Sequence, residues 1–326
     1  MSQLRSYNVQ ADEKPQRVIS GSRGLQRARL AIQAGDIVAF STETVYGLGA
    51  DATNNQAVAK IFKTKVRPRF NPLIVHVLNE SDAKSLVSWN ATANKLSRTF
   101  WPGPLTLVLP RLPGCNVSFL ASAGLDTLAI RVPSHNLARK LLSGTDCPIA
   151  APSANKFGHM SPTTALHVDE EFGPELTLIL DGGPCQLGLE STVVDLTTKR
   201  PVILRPGSIT NEEIGAVIGP IATATQNSKI KSPGMLDRHY APKASLRLNV
   251  NTPLDGEVLV GFGPLAPDEA INLSPSGDLL EAATKFFSTL RELDGAGNKK
   301  LAIMPIPTSG LGFAINDRLK RAASDA

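Results

Sequence analysis

In KTKVRPRFNPLIVH, residues 63–76, Lys63, Lys65, Arg67 and Arg69 fall at every second position, and the apolar run that follows ends on His76. No acidic residue occurs from Ala52 to Asn79. If the segment is extended, side chains alternate faces and the four cations project to one side. Pro68 argues against a central strand, which leaves an extended loop beside a cleft. Lysine supplies compact charge and arginine a planar fork for paired oxygens, so such a row suits a triphosphate. A solvated basic rim or a nucleic-acid groove would use the same residues.

Further polar groups gather elsewhere. APSANKFGHMSPTT concentrates Ser153, Asn155, Ser161, Thr163 and Thr164 behind an apolar strand, where they can cap a helix or hold a ligand. Ser153 lacks the GxSxG elbow of a hydrolase nucleophile. GLGADA is half of a dinucleotide fingerprint without its third glycine, and no GxxxxGK(S/T) loop occurs, so a nucleotide site has to be built another way. His76, His135, His159, His167 and His239 show no metal-ligand spacing, and Cys115, Cys147 and Cys185 form no CxxC pair and read as reduced, buried thiols. No metal-ligating residue and no organic cofactor is expected; Mg2+ would arrive with a nucleotide, held by phosphate oxygens and water. Arg131 in LAIRVPSH and Arg205 in ILRPGS each end an apolar strand, where they reach a cleft or serve as surface ion-pair partners.

Elements of helical and strand period alternate along the chain and must position these groups. SRGLQRARLAIQAG predicts a helix capped by Gly35, and NNQAVAKIFKTK, ATANKLSRTFW and HNLARKLLSG predict others. DIVAF, PLIVHVL, LTLVLP, TLAIRVP, PIAAPSA, LTLILDGG, STVVDL and PVILRPG read as strands, whereas the glycines of STETVYGLGADA suit a tight loop. The expected fold is α/β, a twisted mixed sheet flanked by helices, over residues 1–215. Small, polar and proline residues make 216–244 a linker, and 245–326 read as a small strand–helix–strand–helix domain. The 326 residues are 42% hydrophobic and 19% charged with a net charge of +5, which favours anionic partners. No apolar run approaches the roughly 20 residues of a membrane span. The polar N-terminus carries no secretory leader, so a cytoplasmic protein without membrane contact is expected.

Taken in order, STETVYGLGADA, KTKVRPRFNPLIVHV, WPGPLTLVL, AIRVPSH, APSANKFGHMSPTT, GLESTVVDL and ILRPGSI resemble the YrdC-like domain of the threonylcarbamoyl-AMP synthase family. SPGMLDRHYAPKA and SGLGFAINDRLKRAA resemble its longer, two-domain branch. The resemblance implies a nucleotidyltransferase that condenses L-threonine, bicarbonate and ATP to threonylcarbamoyl-AMP and pyrophosphate. The carbamoyl adenylate would then pass to proteins that modify an adenosine beside the tRNA anticodon. It implies Lys65 and Arg67 as catalytic residues gripping the ATP phosphates with Asn71. Thr44, His76, Arg131, Ser191 and the main chain at Ala151 would meet L-threonine. Thr127, Ser153, Asn155, Ser161, Arg205 and Tyr240 would meet the nucleotide, with Tyr46 a further neighbour. Tyr240, in the linker, would close a lid over the nucleotide. One position departs: the family has glycine between the lysine and arginine where this chain has Val66, which bears on the local backbone path and leaves the cations in place. The alternative is an RNA-binding module with a basic concave surface, although three Tyr and two Trp are few for stacking platforms. A carbamoyltransferase of the hydrogenase-maturation kind ranks behind it, because its cysteine-rich and acylphosphatase-like parts are not found in this sequence.

Overall fold

The computed structural model describes residues 17–225, 231–235 and 239–324. The polar N-terminal stretch and residues 226–230 and 236–238 of the linker lie outside them. In chain order the larger unit runs β1 (Val18–Ile19), α1 (Gly21–Gln33), β2 (Val38–Phe40), β3 (Gly47–Asp51), α2 (Asn55–Lys65), β4 (Ile74–His76), α3 (Glu80–Leu86), α4 (Ala91–Phe100) and β5 (Leu105–Pro110). It continues with β6 (Thr127–Arg131), α5 (Asn136–Thr145), β7 (Ile149–Ala150), α6 (Ala165–Phe172), β8 (Ile179–Leu180), β9 (Thr192–Asp195), β10 (Val202–Arg205), α7 (Asn211–Ile218) and β11 (Ala222–Thr223). These strands form one sheet in the order β1-β8-β2-β3-β7-β4-β6-β5-β9-β10-β11. Pairing is mixed, as expected: β4 lies parallel to β6, while β5 runs antiparallel to β6 and β9 antiparallel to β10.

The smaller unit holds β12 (Ser245–Leu248), β13 (Val258–Gly261), β14 (Ile271–Asn272), α8 (Leu279–Gly295), β15 (Lys300–Ile303) and α9 (Leu311–Ala322). Its strands pair only in parallel, in the order β12-β15-β13-β14. Two more strands are present than the sequence pattern predicts, because β12 carries polar residues and β14 is two residues long. The units pack together: Met160, Leu189 and Tyr240 join Phe286, Phe287 and Ile315 in one apolar cluster, and Arg291 of α8 pairs with Glu171 of α6 at 3.0 Å.

Two sequence expectations change. GLGAD is not a loop but strand β3, folded back on β2 with Gly49 opposite Val38. A β-carbon on Gly49 would lie 2.6 Å from the Phe40 ring and 2.8 Å from Ile149, so the glycines let flanking strands close over an aromatic ring rather than break the sheet. The four cations are not a one-sided extended row either. Lys63 and Lys65 occupy the last turn of α2, where cations suit the carbonyl end of the dipole. Asn54 caps the other end by accepting from Gln56 and Ala57. The chain then reverses direction at Val66, so that Lys65 and Arg67 are buried while Lys63 and Arg69 face solvent.

That reversal explains the departure at Val66. Its φ is +52° and ψ 40°, left-handed backbone that closes the helix, a conformation glycine takes freely and a β-branched residue resists. The side chain is 74% exposed and contributes little packing in return. Val66→Gly is expected to stabilise the protein by about 1 kcal/mol, read as a higher urea midpoint at unchanged slope.

Candidate active site

Sheet register collects the first part of the site. His76 on β4 lies opposite Arg131 on β6, Arg131 opposite Thr106 on β5, Thr106 beside Val193 on β9, and Val193 opposite Arg205 on β10. Directly paired residues share a face, and a bulge between Ile203 and Arg205 re-aims the end of β10. Val193 of this row joins Ile74, Val108, Ala129 and Leu204 in an apolar floor against which Met235 packs. The tight turn before β3 contributes Thr42 and Thr44, and the segment after β7 contributes Ala151, Pro152 and Ser153.

The charges divide into two groups. Arg131 and Glu43 form a buried ion pair at 2.6 Å, and Arg131 also donates to Thr44 Oγ1 at 3.1 Å and Gly103 O at 3.3 Å. Burial would raise the Glu43 carboxyl, but the Arg131 charge outweighs it and holds the group below its ordinary range. With three of its N–H groups used, the guanidinium keeps two for a ligand carboxylate. Glu190 likewise pairs with Arg318 of α9 at 3.0 Å and accepts from Ser161 Oγ at 2.5 Å.

Lys65, Arg67 and Arg205 are also buried, and none has an ion-pair carboxylate among the described residues. They rest on neutral oxygens instead. Lys65 Nζ donates to Ser153 O at 2.6 Å and to Asn155 O. Arg67 donates to Asn71 O, Asn71 Oδ1 and Pro72 O at 3.1, 2.6 and 2.8 Å. Arg205 Nη2 donates to Ser191 O at 2.8 Å and Ser191 Oγ at 3.1 Å. Burial, with Arg205 nearby, pushes the Arg67 guanidinium down to about 9; burial and then Arg67 push the Lys65 ammonium well below its usual range. An anion entering here would relieve both.

The linker closes the top. Pro233, Gly234, His239 and Tyr240 line the cavity, Tyr240 is buried, and only about 40 Å³ of free space remains, room for a few waters. Buried polar atoms without a partner among the described residues gather around it: Asn71 Nδ2, His76 Nδ1, Asn155 Oδ1, Ser232 Oγ, His239 Nδ1 and Tyr240 OH. Each such atom costs about 1–3 kcal/mol, so their concentration at one place points to a ligand that satisfies them.

Of the residues singled out in the sequence, Thr44, Arg67, His76, Arg131, Ala151, Ser153, Ser191, Arg205 and Tyr240 line this cavity. Lys65, Asn71, Asn155 and Ser161 are buried behind its wall, bonded to residues that line or support it. Thr127 begins β6 four residues before Arg131, about 13 Å away along the strand, past Ala129 of the floor. Tyr46 turns elsewhere, its hydroxyl 2.9 Å from Asp181 and 2.8 Å from Gly183 O. Sequence reasoning missed Glu43, Glu190, His239 and Arg318. Both acids sit inside segments already singled out, STET and GLEST, and an acid among small and apolar residues was the available signal; nothing local marks Arg318. With Lys65 and Arg67 turned inward, the solvent-facing cation row that an RNA backbone requires is reduced to Lys63 and Arg69.

Over residues 30–207 the chain matches the Sua5/YciO/YrdC family model, described as telomere recombination, and over 209–324 the threonylcarbamoyl-AMP synthase C-terminal domain. It is 40% identical over 316 residues to the threonylcarbamoyl-AMP synthase of Pyrococcus abyssi, covering 90% of this chain and 92% of that protein. It is also 40% identical over 321 residues to the Bacillus subtilis threonylcarbamoyl-AMP synthase, covering 92% of each. The crystal structure of P. abyssi Sua5 complexed with L-threonine superposes with a TM-score of 0.85 at 38% identity, covering 94% of this chain and 97% of that one.

Burial pushes both His76 and His239 down to about 3, Arg131 adding to the effect on His76. Unfolded, each histidine takes up a proton near 6.5; folded, it stays neutral until far lower pH. The folded state therefore binds fewer protons, and stability present above about 6.5 is lost as pH falls toward 3. Urea unfolding between pH 6.5 and 5 is expected to steepen by up to about 1.4 kcal/mol per pH unit for each such histidine. His76→Gln should flatten the slope by one histidine's share; an unchanged slope would show that His76 titrates normally.

Proposed function

The chain belongs to the Sua5/YciO/YrdC family, in the branch with a threonylcarbamoyl-AMP synthase C-terminal domain, and we propose that it condenses L-threonine, bicarbonate and ATP to threonylcarbamoyl-AMP and pyrophosphate. The observation that carries this reading is the pairing of a charge-balanced recess, Arg131 with Glu43 beside neutral His76, with buried cations of the same cavity, Arg67 and Arg205, that have no carboxylate partner among the described residues. A small amino acid fits the first and a polyphosphate the second.

L-Threonine meets the two remaining N–H groups of Arg131 through its carboxylate. The Ala151 N–H is spent on Ile74 O at 2.9 Å, so the carbonyl of Ala151 is left to orient the amine. Neutral His76 adds no charge to disfavour the substrate's ammonium, yet the amine must lose its proton to react. As a free base it attacks the bicarbonate carbon, and water leaves to give the carbamate. A carbamate oxygen then attacks the α-phosphorus and pyrophosphate departs in line. Arg67 and Arg205 neutralise charge on the phosphate chain as the bond breaks, with Lys65 and Asn71 bracing the same wall. The apolar floor under Met235 offers the nucleoside a flat surface, with Thr127 at its far end, and Ser153, Ser161 and Asn155 supply polar contacts. Mg2+ carried with ATP would be held by phosphate oxygens and water, since Glu43 and Glu190 are committed to Arg131 and Arg318. Such chemistry rests on positioning and charge compensation rather than a covalent nucleophile.

We assign these steps to the larger unit, and the role of lid to the linker. A site with about 40 Å³ of free space must open for ATP, because ligand pockets run to about 300–1,000 Å³, and Tyr240 seated inside supports the linker as the part that moves. The product is passed to proteins that modify tRNA; no helix among the described residues is long and apolar enough to cross a membrane.

Pyrophosphate release from ATP is expected only when L-threonine and bicarbonate are both supplied; release that ignores either substrate would overturn the reaction. Tyr240→Ala is expected to raise the fraction of adenylate hydrolysed to AMP before transfer, since the lid keeps water out. An unchanged ratio of AMP to product would remove the lid.

A further inference from the structure

Arg318 is the largest side chain buried without solvent contact, and it comes from α9 of the smaller unit, 128 positions from its partner Glu190. Its Nε and Nη2 donate to Glu190 Oε2 at 3.1 and 3.0 Å. Nη1 donates to Pro206 O, one residue after Arg205. The guanidinium also stands 5.4 Å from the centre of the Tyr240 ring. One side chain of the C-terminal unit thus touches the acid that lines the catalytic cavity, the backbone beside one of its unpaired cations, and the ring of the closing linker.

Glu190 is the group this arrangement controls. It is ionised: burial would raise its carboxyl, but Arg318 first, then Arg205 and Ser161, hold it below the ordinary range. Arg205 is the other buried cation acting on it, and grips the neighbouring Ser191. A buried carboxylate deprived of its partner seeks the nearest remaining cation. Without Arg318, that cation is Arg205, and a Glu190–Arg205 pair would cancel charge needed for the phosphates. We propose that Arg318 is a positioning residue, which by occupying Glu190 keeps Arg205 open to the phosphate chain and makes ATP affinity depend on the docked C-terminal unit. This rests on the synthase reading and adds what the second unit contributes to it.

Arg318→Met keeps length and removes charge; Glu190→Gln, added to it, removes the competitor while still accepting from Ser161. Binding of ATP and of L-threonine to the full chain is measured separately by calorimetry, with thermal unfolding as a check of fold. Arg318→Met is expected to weaken ATP binding about 10- to 100-fold, the size expected of one charged hydrogen-bonding group, and L-threonine binding by less than about threefold. The double variant is expected to recover ATP affinity to within about threefold of wild type. If Arg318→Met alone does not fold, the double variant decides, since it leaves no orphaned charge. ATP affinity unaffected in Arg318→Met, parallel loss for both ligands, or no recovery in a folded double variant would each overturn the inference. Wild-type protein that bound no ATP would overturn the synthase reading, and this inference with it.

Discussion

The site depends on three cations held out of water without a carboxylate to answer them among the described residues. Lys65, Arg67 and Arg205 are each buried and each rest on main-chain carbonyls. Such oxygens satisfy hydrogen-bond geometry and carry no compensating charge, so the desolvation of the ions is only partly offset. The same bonds tie Lys65 to the segment after β7, Arg67 to the approach to β4 and Arg205 to the approach to β9. The cations therefore brace three loops around one space while leaving its potential positive, and the protein meets its anion with electrostatics already in place.

On the reading proposed above, charge at the opposite end is arranged differently because its ligand there would be L-threonine. Threonine brings one carboxylate and an amine that must become neutral, and an unshielded cation cluster would hold the carboxylate without placing the nitrogen. Glu43 balances Arg131 and leaves direction rather than net charge. Burial keeps His76 neutral, with Nδ1 unpartnered among the described residues, so it adds a directional group without a further charge. Across the row from β4 to β10, one end of the sheet selects by orientation and the other by charge.

How much of this could be read beforehand follows from what determines each feature. Strands such as LTLVLP and TLAIR are legible because their apolar residues form short buried runs, and the mixed sheet follows from their alternation with helices. The cations were legible as types but not as directions. Their spacing at every second position suggested four cations on one side of an extended segment, whereas a helix end and a left-handed Val66 turn only Lys65 and Arg67 inward. GLGAD misled because glycine is read as a breaker when its role here is to let Phe40 lie against the strand. Tyr46 looked like a site residue from its neighbours in the chain, but a hydroxyl partner at Asp181 draws it away. Arg318 was out of reach altogether: its role exists only once α9 docks, and local sequence holds no trace of a partner 128 positions distant.

If the linker is the lid proposed above, a cavity of about 40 Å³ under a buried tyrosine has to open before any substrate enters. Every substrate then binds only the fraction of molecules that stand open, and its measured affinity is the intrinsic one scaled by that fraction. A change anywhere in the linker that made opening tenfold rarer would weaken all ligands of this chamber alike, with no contact to any of them altered. On that reading, affinity is in part a property of the linker.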